Sequence, residues 1–354
     1  MKSLFFLVFV CAAYPLIAQE EAVASAYEKY AYDSIRSQYI QTFPHHFFLW
    51  PVLKQRRLDF VMEDLPDRRK SLRYKSNKPN AIGLGMYVFE LGIEVTFATP
   101  IDQKRKEIYG ESNTSDLQVN ILNKKWGLDL YYQKYQGFYI QDADVEVPLN
   151  TPYPQRADIA TKNIGLAGNY IFNNKKFSFR SAYNFVERQL HSAGSFLLFG
   201  TINGFKVRGD SAILGTVYRN DFGTDAKIRE IRSTTLSVAP GYTYSLIHKG
   251  FFINATLALG PAHNWLSYKT EDGTTKDDIE FTAFVIGRVG LGYNGDRFFG
   301  GMSYVSRRTQ AKFDTVQLSS STGTFKILFG YRFREIGFLN RRAADLPNAL
   351  GFGG

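Results

Sequence analysis

The chain has one cysteine in 354 residues, Cys11. It lies inside an apolar run at the N-terminus, so the rest of the chain has no disulfide framework, no thiolate metal site and no cysteine nucleophile. Long apolar runs are equally scarce: beyond Gln19, no stretch reaches the roughly 20 apolar residues that a membrane-crossing helix needs. Mean hydropathy is −0.23. Clustered charge is missing too. The net charge is +10, but Lys and Arg are scattered, with no long run and no nucleic-acid-binding motif. No nucleic-acid partner is expected. The five histidines are His45, His46, His191, His248 and His263. None has the His-x-x-x-His or His-Glu-x-x-His spacing of a helical metal site, and adjacent His45 and His46 point to opposite sides of an extended chain. No metal, cofactor or catalytic residue is expected; nucleophile elbow and phosphate loop are both missing.

What the chain does have is aromatics, 22 Tyr and 30 Phe, 16% with Trp, roughly twice the usual share. It also has a recognisable front. MKSLFFLVFVCAAYPLIAQ carries Lys2, an apolar core from Leu4 to Ala13 and a cut site after Ala18, the layout of a secretory signal peptide. The predicted organisation is a signal peptide over 1–18, a lead-in over 19–46, one large domain over 47–333 and a tail over 334–354. The lead-in reads either as a short helix around Tyr27–Tyr39, which Pro44 would end, or as an extended segment.

The large domain alternates. In Phe325–Phe333, the residues Phe325, Ile327, Phe329, Tyr331 and Phe333 share one face of a strand. Lys326, Leu328, Gly330 and Arg332 share the other. The pattern recurs from Ile82 to Phe97, and at Leu117–Ile121, Trp126–Tyr132, Ile164–Phe172, Phe177–Phe185, Phe196–Ile202, Leu236–Leu246, Ile253–Leu259, Phe281–Tyr293 and Phe298–Tyr304. FFLWPVLKQ and RLDFVME read as two further short strands, with Pro51 at an edge, bulge or break. A soluble secreted β-sandwich wants its apolar face inward; here the small and polar face suits a lumen. The predicted fold is all-β, a closed antiparallel transmembrane β-barrel of about 12 strands (about 10–14) whose apolar face meets outer-membrane lipid.

Long connections at Ile101–Ser115, Gln141–Ala160, Phe205–Ile228 and Gln310–Ser320 are expected to be external. Strict alternation of short turns and long loops breaks across Phe205–Ile228; a hidden strand at Ala212–Arg219 would restore it.

TFPHHFFLWPVLKQRRLDF, NAIGLGMYVFELGIEVTFATP, KKWGLDLYYQKYQGFYI and ERQLHSAGSFLLFGT together resemble an uncharacterised family of Bacteroidota-type envelope proteins, domain of unknown function 4421. The resemblance runs from about Tyr32 to Phe333. It implies an outer-membrane barrel and assigns no activity.

The expected function is a non-enzymatic outer-membrane barrel of a Gram-negative envelope, structural or a small pore. Its lumen-facing charges are Glu94, Asp129, Arg180, Glu280, Arg288, Lys326 and Arg332. The ending Tyr331–Phe333 resembles the signal read by the barrel-assembly machinery, although the chain continues to Gly354. An alternative is a membrane hydrolase or acyltransferase using His191 and Ser192 at a strand end. Asp33-Ser34-Ile35, Asp210-Ser211-Ala212 and Asp314-Thr315-Val316 match a short O-glycosylation pattern.

Overall fold

The computed structural model describes residues 26–334, apart from 45, 68–69, 78–79, 89–90, 143–144, 216–217, 219–221, 223–226 and 314. The signal peptide and the tail beyond Arg334 lie outside the described residues. In chain order the elements are α1 (Ala26–Tyr39), β1 (Ile40–Thr42), β2 (His46–Asp64), β3 (Ser71–Lys75), β4 (Ala81–Val88), β5 (Leu91–Ala98), α2 (Gln103–Tyr109), β6 (Asn113–Leu122), β7 (Trp126–Asp142) and β8 (Gln155–Ile171). There follow α3 (Phe179–Tyr183), β9 (Glu187–Gln189), β10 (Ala193–Arg208), β11 (Ile228–His248), β12 (Phe251–Thr270), β13 (Thr275–Asn294), β14 (Phe298–Lys312) and β15 (Val316–Arg334).

Antiparallel pairing runs from β7 through β8 and then β10 to β15, and β15 closes on β2. At the upper rim β3 completes the ring, pairing with β2 on one side and β7 on the other. Ten strands make that closed ring. Below it, β4 takes over the same side of β2, and the wall continues as β4–β5 on one flank and β6–β7 on the other. The wall forks there: among the described residues no ladder joins β5 to β6. The chain therefore passes the lower half of the barrel twelve times. Gly137 marks the apex. It sits at φ +86°, in a bulge of β7 between the β6-paired and β3-paired segments. A Cβ there would lie 2.2 Å from the Glu111 carbonyl oxygen, so only glycine fits.

The outside of the barrel carries its apolar residues in a belt. Ile82, Leu84 and Met86 on β4, Ile93, Val95 and Phe97 on β5, and Leu236, Val238, Tyr242, Tyr244 and Leu246 on β11 are all exposed. So are Phe251, Ile253, Leu257 and Leu259 on β12. On β11 the belt spans Leu236–Leu246, which matches the roughly 9–11 residues a tilted strand needs to cross hydrocarbon. Above it the outward positions turn polar, as at Arg232, Lys269 and Asp277. Aromatic pairs line the lower margin, with Phe251–Tyr293, Phe298–Tyr331 and Phe196–Tyr242 ring centroids 5.1, 4.9 and 5.2 Å apart. An apolar belt edged by aromatics on a closed strand ring is a transmembrane β-barrel. Leu257, 63% exposed in mid-belt, gives a test. Leu257→Arg is expected to cost about 2–4 kcal/mol in bilayer refolding titrations, whereas Thr234→Arg, above the belt, is near neutral.

Several sequence expectations are corrected here. Phe177–Phe185 is no wall strand: its middle is the short helix α3, capped by the Ser178 side chain, and it folds inside the barrel mouth. Removing that strand restores the order of turns and loops. No hidden strand forms among the described residues of Ala212–Arg219; Ala212, Ile213 and Leu214 are buried instead. FFLWPVLKQ and RLDFVME are one strand, β2. Its ladder to β15 lapses at Trp50 and Pro51, while Pro51 stays in register with Leu84 of β4. Gln310–Ser320 is not a loop; β14 and β15 extend to Lys312 and from Val316.

Candidate functional site: the charged layer of the lumen

The interior is stacked in three layers. At the upper rim, inward side chains Leu58, Phe60, Met62, Tyr135, Phe138 and Phe205 meet Ile213, Leu214 and Phe222 from the connection between β10 and β11. The described residues of that loop fold in as a lid. The Tyr74 hydroxyl donates to the Ile213 carbonyl over 2.7 Å.

The lower mouth is filled by the segment between β8 and β10. Phe177, Phe179, Ala182, Tyr183 and Phe185 pack on Phe48, Trp50, Phe252 and Phe299 of the wall. Its short strand β9 pairs with β1, which holds the N-terminal helix against the plug. Glu187 is the latch. Only 1% exposed, it accepts from Arg36 at 2.7 Å, from Arg180 at 3.1 Å and from the Ser178 hydroxyl. From the wall, Arg332 reaches the carbonyls of Gly295 at 2.5 Å and Phe185 at 2.6 Å and the Asn294 side chain at 2.7 Å. Its guanidinium lies 3.9–4.9 Å from the ring centroids of Phe43, Phe48 and Phe299. Backbone acceptors and aromatic faces take the place of a carboxylate around this cation.

Between lid and plug lies a polar layer. Asp129 on β7 is its centre, with one carboxylate oxygen shared by Arg288 of β13, at 3.0 Å, and Arg307 of β14. The other oxygen accepts from Asn120 of β6 at 2.6 Å. Arg56 of β2 donates to both the carboxylate and the backbone carbonyl of Asp116, on the open edge of β6. Glu94 of β5 is held by Lys54 and by the Trp50 indole N–H at 3.1 Å, with Lys326 at 4.0 Å. Five cations face three carboxylates. Serine, threonine and asparagine fill the rest of the ring, for example Thr235 donating to Asn264 at 2.6 Å and Thr201 beside Ser237.

The seven sequence-predicted charges thus fall in different places. Glu94, Asp129, Arg288 and Lys326 come together in the charged layer. Glu280 stands near the upper rim and accepts the Lys312 backbone N–H at 2.7 Å. Arg332 belongs to the plug contact. Arg180 is not on the wall at all: it rides on α3 and pairs with Glu187. The alternation missed Lys54, Arg56, Asp116 and Arg307, although each occupies the inward parity of its strand. Glu187 and Arg36 carried no strand signal, since the plug has none. His191 stacks edge-on against Tyr39, ring centroids 5.7 Å apart, while the Ser192 hydroxyl accepts the Ile247 N–H at 2.9 Å. Their described contacts do not join them as nucleophile and base.

Residues 31–333 match the sequence family described as Domain of unknown function (DUF4421). The chain belongs to that family. No curated protein matches it in sequence. Among solved structures it is similar to the outer membrane protease OmpT from Escherichia coli, with TM-score 0.39, 10% identity, and coverage of 82% of this chain and 97% of that one. A second is the translocator domain of the autotransporter NalP from Neisseria meningitidis, with TM-score 0.31, 8% identity and 90% and 99% coverage. A third is the P. putida toluene transporter TodX, with TM-score 0.25, 8% identity and 83% and 92% coverage.

Proposed function

We propose that the protein is a non-enzymatic outer-membrane barrel of the Gram-negative cell envelope, built as a closed barrel in place of a through-pore. The observation that carries this reading is the stacking of the lumen: an apolar lid, a charged layer and an apolar plug in series. Water and ions need a continuous polar path to pass, and lid and plug interrupt it from both sides. The ion pairs of the middle layer tie seven strands, β2, β5, β6, β7, β13, β14 and β15, across the interior. The rim with the short turns faces the periplasm in barrels of this kind, which puts the plug and the N-terminal helix on that side. The test is fractionation: after export the protein stays with outer membranes and migrates faster unheated than boiled. Recovery as a soluble periplasmic species overturns the reading.

Tyr331 and Phe333 are the residues we assign to recognition by the assembly machinery. Both point outward at the lower end of β15, and Phe333 stacks on Phe47 at 5.0 Å across the closing seam with β2. Phe333→Ala is expected to lower the amount of assembled barrel severalfold, through a lost stacked pair of about 1 kcal/mol and a weakened signal. Truncation after Glu335 leaves assembly intact. Loss of assembly from the truncation alone moves the signal into the tail.

A further inference from the structure

Among the described residues, the fork between β5 and β6 is the place where neighbouring strands of the wall share no ladder. Both edges run through the apolar belt: Ile93, Val95 and Phe97 on one, Leu117, Val119 and Ile121 on the other, all exposed. Unpaired backbone facing hydrocarbon costs several kcal/mol per group, so a bare slit is not a stable resting wall. The inner side of each edge is tied to the charged layer instead. Arg56 takes the Asp116 backbone carbonyl, Asn120 reaches Asp129, and Glu94 reaches Lys54 and Trp50. With lid above and plug below, the fork is where, among the described residues, the layer is flanked by strand edges without a ladder between them.

We propose that this fork is a lateral portal, and that an anionic phospholipid of the surrounding bilayer enters it with its phosphate among Arg56, Lys54 and Arg307. The proposal rests on the membrane reading above. Three observations converge on that occupant. Five cations against three carboxylates leave the layer short of negative charge, and Arg288 and Arg307 share a single carboxylate oxygen. The buried Nε atoms of Arg56, Arg288 and Arg307 have no hydrogen-bond partner, so donors stand ready for further acceptor oxygens. The slit itself is lined outside by apolar residues, which suits acyl chains left in the membrane while the head turns inward. Neutral lipids satisfy the slit but not the charge, and free phosphate satisfies the charge but not the slit.

Trp50 provides the reporter, because its indole lies inside the barrel against Glu94 of the fork edge. Trp126 and Trp265, both outward, are replaced by Phe. The refolded barrel is placed in vesicles of phosphatidylglycerol or phosphatidylcholine with brominated chains, and Trp50 fluorescence is read. Thr96→Cys with Gln118→Cys, one on each edge, then allows bis-methanethiosulfonate linkers of increasing length to fasten the fork. The expected result is stronger quenching by brominated phosphatidylglycerol than by phosphatidylcholine, lost when a short linker is in place. Arg56→Gln is expected to lower the phosphatidylglycerol preference about fivefold, the worth of one arginine at a lipid phosphate. Quenching that ignores the linker overturns the portal; equal quenching by both lipids overturns the anionic occupant. In the chain that keeps Trp265, quenching of that lipid-facing residue reports insertion separately, so a failure of the membrane reading is told apart.

Discussion

Asp129→Ala is expected to cost the barrel about 3–5 kcal/mol, the penalty of leaving buried charge without its partner. Two guanidinium groups converge on this carboxylate from β13 and β14, and the side chain is only 9% exposed. Arg288 and Arg307 also sit 5.4–5.7 Å from the ring centroids of Phe179, Phe199 and Tyr131, faces that support a cation without neutralising it. Once the carboxylate is gone, two positive charges repel inside a low-dielectric layer. Urea unfolding in micelles, followed by heat-modifiable migration, reads the loss. The double variant Asp129→Ala with Arg307→Gln removes one of the stranded charges and is expected to recover a measurable part. A loss under about 1 kcal/mol, the level of an exposed surface pair, contradicts a buried network.

Glu187→Ala acts on the plug, not the wall. Arg36 and Arg180 both depend on Glu187 for charge, and it fastens α1 to the loop through β9. Its removal is expected to weaken docking by about 3–5 kcal/mol, so that the plug opens roughly a hundred to several thousand times more often. Trypsin cleavage after Arg36 should then accelerate, while the barrel keeps its heat-modifiable migration. An unchanged cleavage rate contradicts the latch.

The wall was legible because lipid and lumen demand opposite residues at successive positions. Leu236–Leu246 and Ile253–Leu259 show this, with tyrosine, leucine and isoleucine outside and serine, threonine and asparagine inside. Strand ends were not legible. Above the belt the outer face is polar while the inner face packs on the lid, so the upper half of β15, VQLSSSTGT, keeps only Val316 and Leu318 as large apolar positions and reads as loop. The plug misled for the converse reason. Phe177, Phe179, Tyr183 and Phe185 have near strand-like spacing, yet they serve a packed core inside the mouth, where any spacing that buries aromatics suffices. Position 178 held a usable signal, a serine placed to cap the helix that follows it. The fork leaves no mark in sequence, because β5 and β6 alternate like their paired neighbours. Their neighbourhood is set by β3, which leaves β7 only its upper end to pair with.

Single-channel recording of the refolded protein in planar bilayers tests the closed lumen most directly. With lid, charged layer and plug in series, inserted protein is expected to give a flat baseline with no conductance steps. Steady ohmic steps from the intact chain would contradict the closed barrel and make the charged layer the lining of a pore.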